Sequence, residues 1–490
     1  MMPRPSHAGA RALLAWAILS ASGCALIHHD SPPASPISGA AIRVAGNIRL
    51  PPGDWPSSHW WTAFGDAQLD ALIDRALADS PTMTVARARV AQAGSDVERV
   101  QAGSGLQAVA IGVLNRERVS SNGFLGPYAR NDPAAGVTGP WYTQGIVGIG
   151  AGLNLDLWGK QRAQVAASLG VQNARRAEAS AVELEISTDI AQIYYGIQTI
   201  YQSIDLLGQS DRVAVFAVAA HGSRAARGLE SRTAVETARA RQLAVEREIA
   251  DARAQITQLR ESLRALVGAG ADTLAAIEPA PLPVSHAALP PTLSYELLAR
   301  RADLQALRWY VQASFDQVDA AKAAFYPSFD IKAFFGFDAL HLGMLFTRAS
   351  QQINLVPGLY LPIFDSGRLN ANLGGARAAS NVLIEQYNQA VLDAVRDVAQ
   401  TGSRLQALDA EVQLQTEKVK AVQFARKSAE AQWERGLVSR LAAVEAREPV
   451  IAEQAALLDL NAQRVSQAIA LTKALGGGYR ADSPVTLRPH

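Results

Sequence analysis

"RGLESR" (227–232) and "RGLVSR" (435–440) differ at one position and lie 208 residues apart. Each stands between long windows rich in Ala, Gln, Arg, Glu and Leu, the composition of long helix or coiled coil. In each hexapeptide a glycine, Gly228 or Gly436, can end one helix in the left-handed conformation, and a serine, Ser231 or Ser439, can cap the next. The motif is therefore a helical-hairpin turn, and its recurrence points to a tandem duplication.

The repeat extends outward from both turns. "GLNLDLWGKQR" (152–162) aligns with "GLYLPIFDSGR" (358–368), pairing Leu155 with Leu361, Trp158 with Phe364 and Arg162 with Arg368. "DIAQ" (189–192) meets "DVAQ" (397–400), and "LVG" (266–268) meets "ALG" (474–476). Each half reads short helix, helix, strand, strand, long helix, turn, long helix. The third helices, over 160–224 and 366–433, would each span on the order of 100 Å at the α-helical rise. After the turns, Val245, Ala252, Leu259 and Leu266 in one half recur every seventh residue, as do Val444, Ile451, Leu458 and Val465 in the other. Strict sevens predict helices supercoiled on their neighbours. Pro449, inside the last of these helices, is expected to kink or interrupt it.

Four segments alternate with period two. Over 145–157, Val147, Ile149, Ala151, Leu153, Leu155 and Leu157 oppose Gly148, Gly150, Gly152, Asn154 and Asp156. Over 328–337, Phe329, Ile331, Ala333, Phe335 and Phe337 oppose Asp330 and Lys332; over 353–363, Ile353, Leu355, Leu359, Leu361 and Ile363 oppose Asn354, Gly358 and Tyr360. Over 107–116, Val109, Ile111 and Val113 make the apolar face against Ala108, Ala110 and Gly112. Each has the length and pattern of a tilted membrane-spanning strand. No stretch beyond the N-terminus offers 18 consecutive apolar residues, so a membrane crossing must use strands. Four strands cannot close a barrel, whereas two copies would supply eight and three copies twelve. The Gly-rich face at 148–152 favours an open lumen and hence a trimer. The loops 119–141 and 339–349 join the strand pairs and should face outside the cell.

At the N-terminus, Arg4 and Arg11 precede the apolar run "ALLAWAIL" (12–19), followed by "SASGC" ending at Cys24, the only cysteine. This predicts a signal peptide over 1–23 and a lipid-modified Cys24 that heads an extended tether to residue 58. Ala25 rather than Asp after the cysteine points to outer-membrane retention. The first repeat then occupies 59–270, a linker 271–291, the second repeat 292–478 and a tail 479–490.

The formal net charge is only +1 and no basic cluster alternates with aromatics, which gives nucleic-acid binding no support. The eight histidines are scattered apart from His28-His29 in the tether, and no nucleophile, phosphate-loop or metal-ligand constellation occurs. "GAGAD" (268–272) and "GGGY" (476–479) read as helix stops. The expectation is no catalytic residue, no metal and no cofactor beyond the covalent lipid on Cys24.

"WWTAF", "LDALIDRAL", "RADL", "AFYPSF", "PIFDSGR" and the doubled "RGLxSR" together resemble the TolC-like outer-membrane factors, most of all the outer-membrane lipoproteins of RND-type multidrug efflux systems. The resemblance implies an α+β membrane protein whose trimer forms a 12-stranded outer-membrane β-barrel, continued by a long periplasmic α-helical coiled-coil barrel. It implies an exit duct for small molecules such as drugs, with a periplasmic adaptor and an inner-membrane transporter of RND or MFS type as partners. A duct for type I protein secretion and a non-conducting coiled-coil lipoprotein are the alternatives. By the same resemblance Arg227, Gly228, Leu229 and Ser231, with Arg435, Gly436, Leu437 and Ser439, form the adaptor-docking tips. Glu230 and Val438 would make two kinds of tip. A periplasmic gate is implied at Glu445, held near Arg440 or Arg447, with Trp433 beside it. Trp158 and Phe364 end equivalent strands and are expected as interfacial aromatics.

Overall fold

The computed structural model describes residues 34–37, 48, 50–135, 137–270, 276–284, 288–290, 294–481 and 487. The expected signal peptide, Cys24, His28-His29, the end of "GAGAD", and parts of the linker and tail lie outside the described residues. Helices α1 (Ala67–Asp79) and α2 (Pro81–Ser104) lead into β1 (Gln107–Arg118) and β2 (Trp141–Leu155). The long α3 (Lys160–Ala226) and α4 (Arg232–Val267) complete the first half. The second half repeats the order: α5 (Ser294–Arg300), α6 (Ala302–Ala323), β3 (Ser328–Ala339), β4 (Gln351–Tyr360) and α7 (Arg368–Glu434). It ends in α8 (Arg440–Glu445) and α9 (Glu448–Ala474).

Local chemistry sets the helix ends. Asp66 accepts the N–H groups of Gln68 and Leu69 at 3.0 and 3.3 Å and starts α1. The helices α3 and α7 are 67 residues long, and each follows a left-handed glycine, Gly159 (φ 76°) or Gly367 (φ 85°). Carboxylates then cap them: Asp156 accepts from Gln161 and Arg162 at 3.0 and 2.9 Å, and Asp365 accepts from Leu369 at 2.8 Å. Partial burial opposes ionisation of Asp156, but the two N–H groups and Arg162 outweigh it and hold the carboxyl below its ordinary range. A depressed value means that this cap stabilises fully above the unfolded pKa of 3.8 and is lost as pH falls below it. Asp156→Ala is thus expected to lower stability by about 1 kcal/mol at neutral pH and by less near pH 3, as thermal melts at the two pH values would show.

The expected interruption at Pro449 occurs in the form of a second helix start. Ala446 and Arg447 separate α8 from α9, and Pro449 sits in the first turn of α9, where a missing N–H costs nothing. Of the sevenfold positions, Ala252, Ile451 and Val465 are buried and the rest half-buried; the buried seam of α4 runs Ala252, Ile256, Leu263 and Val267. α4 folds back along α3 and α9 along α7, while α3 also packs against α6 and α9 of the other half. One core gathers Trp60, Trp61, Leu69, Ile73, Ile190 and Tyr194, and a second gathers Leu297, Leu304, Val311, Ile384, Tyr387 and Val391. Part of the stretch read as a tether is tied down. The N–H groups of Ala34 and Ile37 donate to the side chains of Asn381 and Asn388 on α7, and Ile48 and Leu50 cover Gly402.

The four strands form one antiparallel sheet in the order β1-β2-β3-β4, with β1 and β4 at its edges. Directly opposed residues share a face. Val147, Ile149, Leu153 and Leu155 lie opposite Phe337, Phe335, Ile331 and Phe329, which in turn, from Phe335, meet Ile353 and, from Phe329, Leu359. This is a continuous apolar face. The other face carries Asn154, Asp330, Lys332, Asp338, Gln352 and Asn354.

The first strand departs from the sequence expectation. Val109, Ile111 and Val113 pair with Gly150, Gly148 and Ile146, so they lie on the polar face, and Ala108, Ala110, Gly112 and Leu114 complete the apolar one. The glycines supply the reason. A Cβ on Gly150 would stand 3.0 Å from the Ile111 Cδ1, and one on Gly148 would stand 2.7 Å from the Phe334 Cζ. The space left by the missing side chains is thus occupied by Ile111 and Phe334, and these glycines serve cross-strand packing rather than an empty lumen.

Candidate functional site

The two hairpin tips share one backbone solution. Arg227 and Arg435 end the long helices, followed by Gly228 (φ 69°) and Gly436 (φ 73°). At the first tip the N–H of Gly228 donates to Ala225 and that of Leu229 to Arg224, both at 2.9 Å. At the second, Gly436 donates to Trp433 at 2.8 Å and Leu437 to Gln432 at 2.9 Å. This is the Schellman pattern, in which the residue after the glycine normally packs back on an apolar residue one turn earlier. Here those earlier residues are Arg224 and Gln432, and Leu229 and Leu437 stay 68% and 70% exposed. Each tip therefore presents one leucine beside one arginine.

The caps differ. Ser439 accepts the Ala442 N–H at 3.1 Å as expected. Ser231 does not cap through its side chain; its own carbonyl takes the Ala234 N–H at 3.1 Å, which uses the donor a cap would serve. Glu230 and Val438 differ in a way the sequence did not suggest. Glu230 turns back onto α3, where its carboxylate lies 2.8 Å from His221 Nδ1 and 3.5 Å from Arg224 Nε. Its charge is engaged within the first hairpin rather than presented at the tip.

Behind the second tip the implied gate residues are brought together with different partners. The Arg440 guanidinium lies over the rings of Phe216 and Trp433, at 5.2 and 5.8 Å from their centroids. Arg447 reaches Glu430 on α7 at 3.4 Å, and Glu430 also faces Arg426 at 3.5 Å. Neither arginine holds Glu445, which is half-buried and makes no ion pair among the described residues. The correction has a plain cause: Arg440 finds two aromatic faces and Arg447 points to the neighbouring helix, where an acid is already placed. Glu448, at the start of α9, accepts the Ser210 hydroxyl at 2.8 and 3.0 Å and joins the two halves again. Phe216, Ser210 and Glu430 were missed in the sequence because each lies on another helix and carries no local signal.

Arg440→Ala is expected to cost about 0.5–2 kcal/mol, as an extracted-protein melt would measure, with Arg440→Lys in between. Glu445→Ala should leave stability within about 0.5 kcal/mol of the parent. Its planar-bilayer conductance and cation preference are then the test of a gate role, which unchanged values would remove.

At the junction of sheet and helices, Trp158 and Phe364 behave differently despite their equivalence in the repeat. The Trp158 indole N–H donates to the Pro327 carbonyl at 2.8 Å, and its ring stacks on Tyr326 at 4.9 Å. It borders a cavity of about 980 Å³ that also meets Arg99, Asn154, Tyr360 and Arg368. Phe364 is 88% exposed. Among the described residues no group of His, Cys, Asp and Glu is placed to hold a metal ion, and no helix is long and apolar enough to cross a membrane.

Comparison with known proteins agrees with this architecture. A family model described as outer membrane efflux protein matches residues 72–269 and 293–477. The chain is 55% identical over 460 residues to the multidrug resistance outer membrane protein MdtP of Shigella flexneri, covering 94% of each. It is 39% identical over 469 residues to the putative multidrug resistance outer membrane protein MdtQ of the same organism, covering 94% of this chain and 97% of the relative. Among solved structures, the outer membrane protein VceC of Vibrio cholerae superposes with a TM-score of 0.76 at 32% identity, covering 86% of this chain and all of that one.

Proposed function

The chain belongs to the outer membrane efflux protein family, and on that premise we propose that it is the outer-membrane exit duct of a tripartite efflux pump. It passes small molecules such as drugs outward from an inner-membrane transporter and a periplasmic adaptor. The observation that supports this most directly is a four-stranded sheet with two bare edges, standing on two 67-residue helices. Open edges are not tolerated in lipid, so β4 of one copy pairs with β1 of the next. Three copies give twelve strands. Eight would leave a barrel filled by side chains, whereas Glu117, Asp330, Lys332 and Asp338 on one face need a wet interior. That polar face is the lumen and the apolar face meets lipid.

The long helices continue the barrel into the periplasm. Leu229 and Leu437, flanked by Arg227 and Arg435, form a ring of six tips on which the adaptor docks. Glu445 lines the mouth behind the second tip, and acyl chains on Cys24 anchor the N-terminus in the outer membrane. The transporter is of RND or MFS type.

Detergent-extracted mass combined with planar-bilayer recording tests the reading. A trimer with a stable conductance is expected, and a non-conducting monomer would remove it. Intact-mass analysis should show acylation that Cys24→Ala abolishes.

A further inference from the structure

One group of exposed apolar side chains lies off the strands. The connection from β3 to β4 reads "LHLGMLF" (340–346), and no Asp, Glu, Lys or Arg occurs from Ala339 to Thr347. Leu340, Leu342, Met344 and Phe346 are 47, 46, 53 and 75% exposed. Four large apolar side chains within seven residues make an unfavourable surface in water.

The direction of the loop accounts for them. A Cβ on Gly145 would lie 2.9 Å from Leu342 Cδ2 and 3.1 Å from Leu345 Cδ2, and the Phe346 ring meets Phe337 edge-on at 5.7 Å. Gly145 opposes Leu114 and Ala339, and Phe337 opposes Val147, so both belong to the apolar face. The loop thus folds back over that face instead of projecting beyond the strand ends. Arg116, Arg118 and Trp141 occupy the same face at the same end, with the Arg116 guanidinium 5.6 Å from the Trp141 ring centroid. The loop after β1 turns the other way: Tyr142, on the polar face, donates its hydroxyl to the Tyr128 carbonyl at 2.7 Å.

We propose that residues 340–346 form an outer-leaflet lipid anchor: Leu340, Leu342, Met344 and Phe346 enter the acyl-chain region, His341 turns to Thr138 of the other loop at 2.6 Å, and Arg116 and Arg118 meet the anionic headgroups above. The anchor rests on the reading of the apolar face as the lipid-facing barrel wall, with which it is continuous. Amphipathic Trp141 beside a cation suits the boundary between chains and headgroups. The asymmetry also has a use. One loop of each protomer holds the rim in the membrane, while the other lies on the lumenal side.

Single cysteines at Phe346, Leu355 and Asn122 of the full-length chain, labelled with bimane in phospholipid vesicles, test this; the parent chain, with Cys24 alone, is the labelling blank. The label at 346 should be quenched by lipids carrying a doxyl group near the headgroup and be protected from iodide. The label at 355 should be quenched by lipids with the doxyl deeper in the chain, and that at 122 by iodide. If 346 follows 122 while 355 remains lipid-quenched, the anchor is overturned and the barrel reading stands. If 355 is also iodide-quenched, the barrel reading fails and the anchor with it. R116Q/R118Q should remove any excess quenching at 346 by doxyl-phosphatidylglycerol over doxyl-phosphatidylcholine. No such excess in the chain labelled at 346 with both arginines present would overturn the headgroup contact.

Discussion

Gly336→Val is expected to abolish the folded, conducting protein, whereas Gly112→Ala is expected to leave it intact. Gly336 and Gly148 oppose each other at the centre of the sheet, on the face that also carries Phe334. A Cβ on Gly336 would run into the Val147 carbonyl oxygen and stand 2.6 Å from the Gly148 Cα. Both obstacles are backbone, so no rotamer change relieves them. The strands would have to separate, and with them the ladder on which the proposed closure by further copies depends. Overpacking commonly costs about 1–3 kcal/mol, and a branched side chain against two backbone atoms belongs at or above the upper end. A cost of that order is a large fraction of any fold's stability. Gly112 has nothing within 4 Å of a built Cβ and serves as the control. The measurements are the yield of detergent-stable oligomer and the bilayer conductance; a normal yield for Gly336→Val would show that the strand pair yields more readily than its geometry allows.

Leu355→Arg and Asn354→Arg should have opposite consequences although they are neighbours in the chain. Leu355 is 71% exposed and opposes Ala333 on the apolar face, while Asn354 opposes Phe334 on the polar one. In the proposed trimeric barrel this wall faces lipid, where an arginine near the bilayer midplane costs about 2–4 kcal/mol, and three copies would bear it together. Loss of membrane assembly is expected for Leu355→Arg. For Asn354→Arg the new cation would project into the proposed lumen, so assembly should survive and reversal potentials shift toward anion preference. Equal assembly of the two variants would refute the assignment of faces.

These two experiments bear on what was legible beforehand. The alternation of Phe329, Ile331, Phe335 and Phe337 against Asp330 and Lys332 showed the faces of β3 directly, because a charged residue and a phenylalanine tolerate opposite surroundings. Over 108–113 of β1 both faces consist of small or β-branched apolar residues, so alternation there carried no information about orientation. A one-residue change of register exchanges the faces completely. Only the fit of Ile111 over Gly150 and of Phe334 over Gly148 settles it.

The candidate site divides in the same way. Both Schellman turns could be read from Gly228 and Gly436, since a left-handed glycine after a helix is a property of the local backbone. Which side chains Arg440 and Arg447 would meet was not readable, because Phe216 and Glu430 are brought near by packing of long helices rather than by neighbouring sequence. The structure likewise withdraws Glu230 from the tip surface by giving it His221 and Arg224 as partners.

By itself, then, the sequence determined the duplication, the four strands, the two great helices and the hairpin turns. Each of these follows from periodicity or from a residue's own conformational preference, which act over a few positions. The tertiary structure alone decided the face of β1, the partners of Arg440 and Arg447 and the direction of the two loops that join the strands. Those depend on which surfaces fit one another, and shape complementarity between distant segments leaves no periodic trace in the chain.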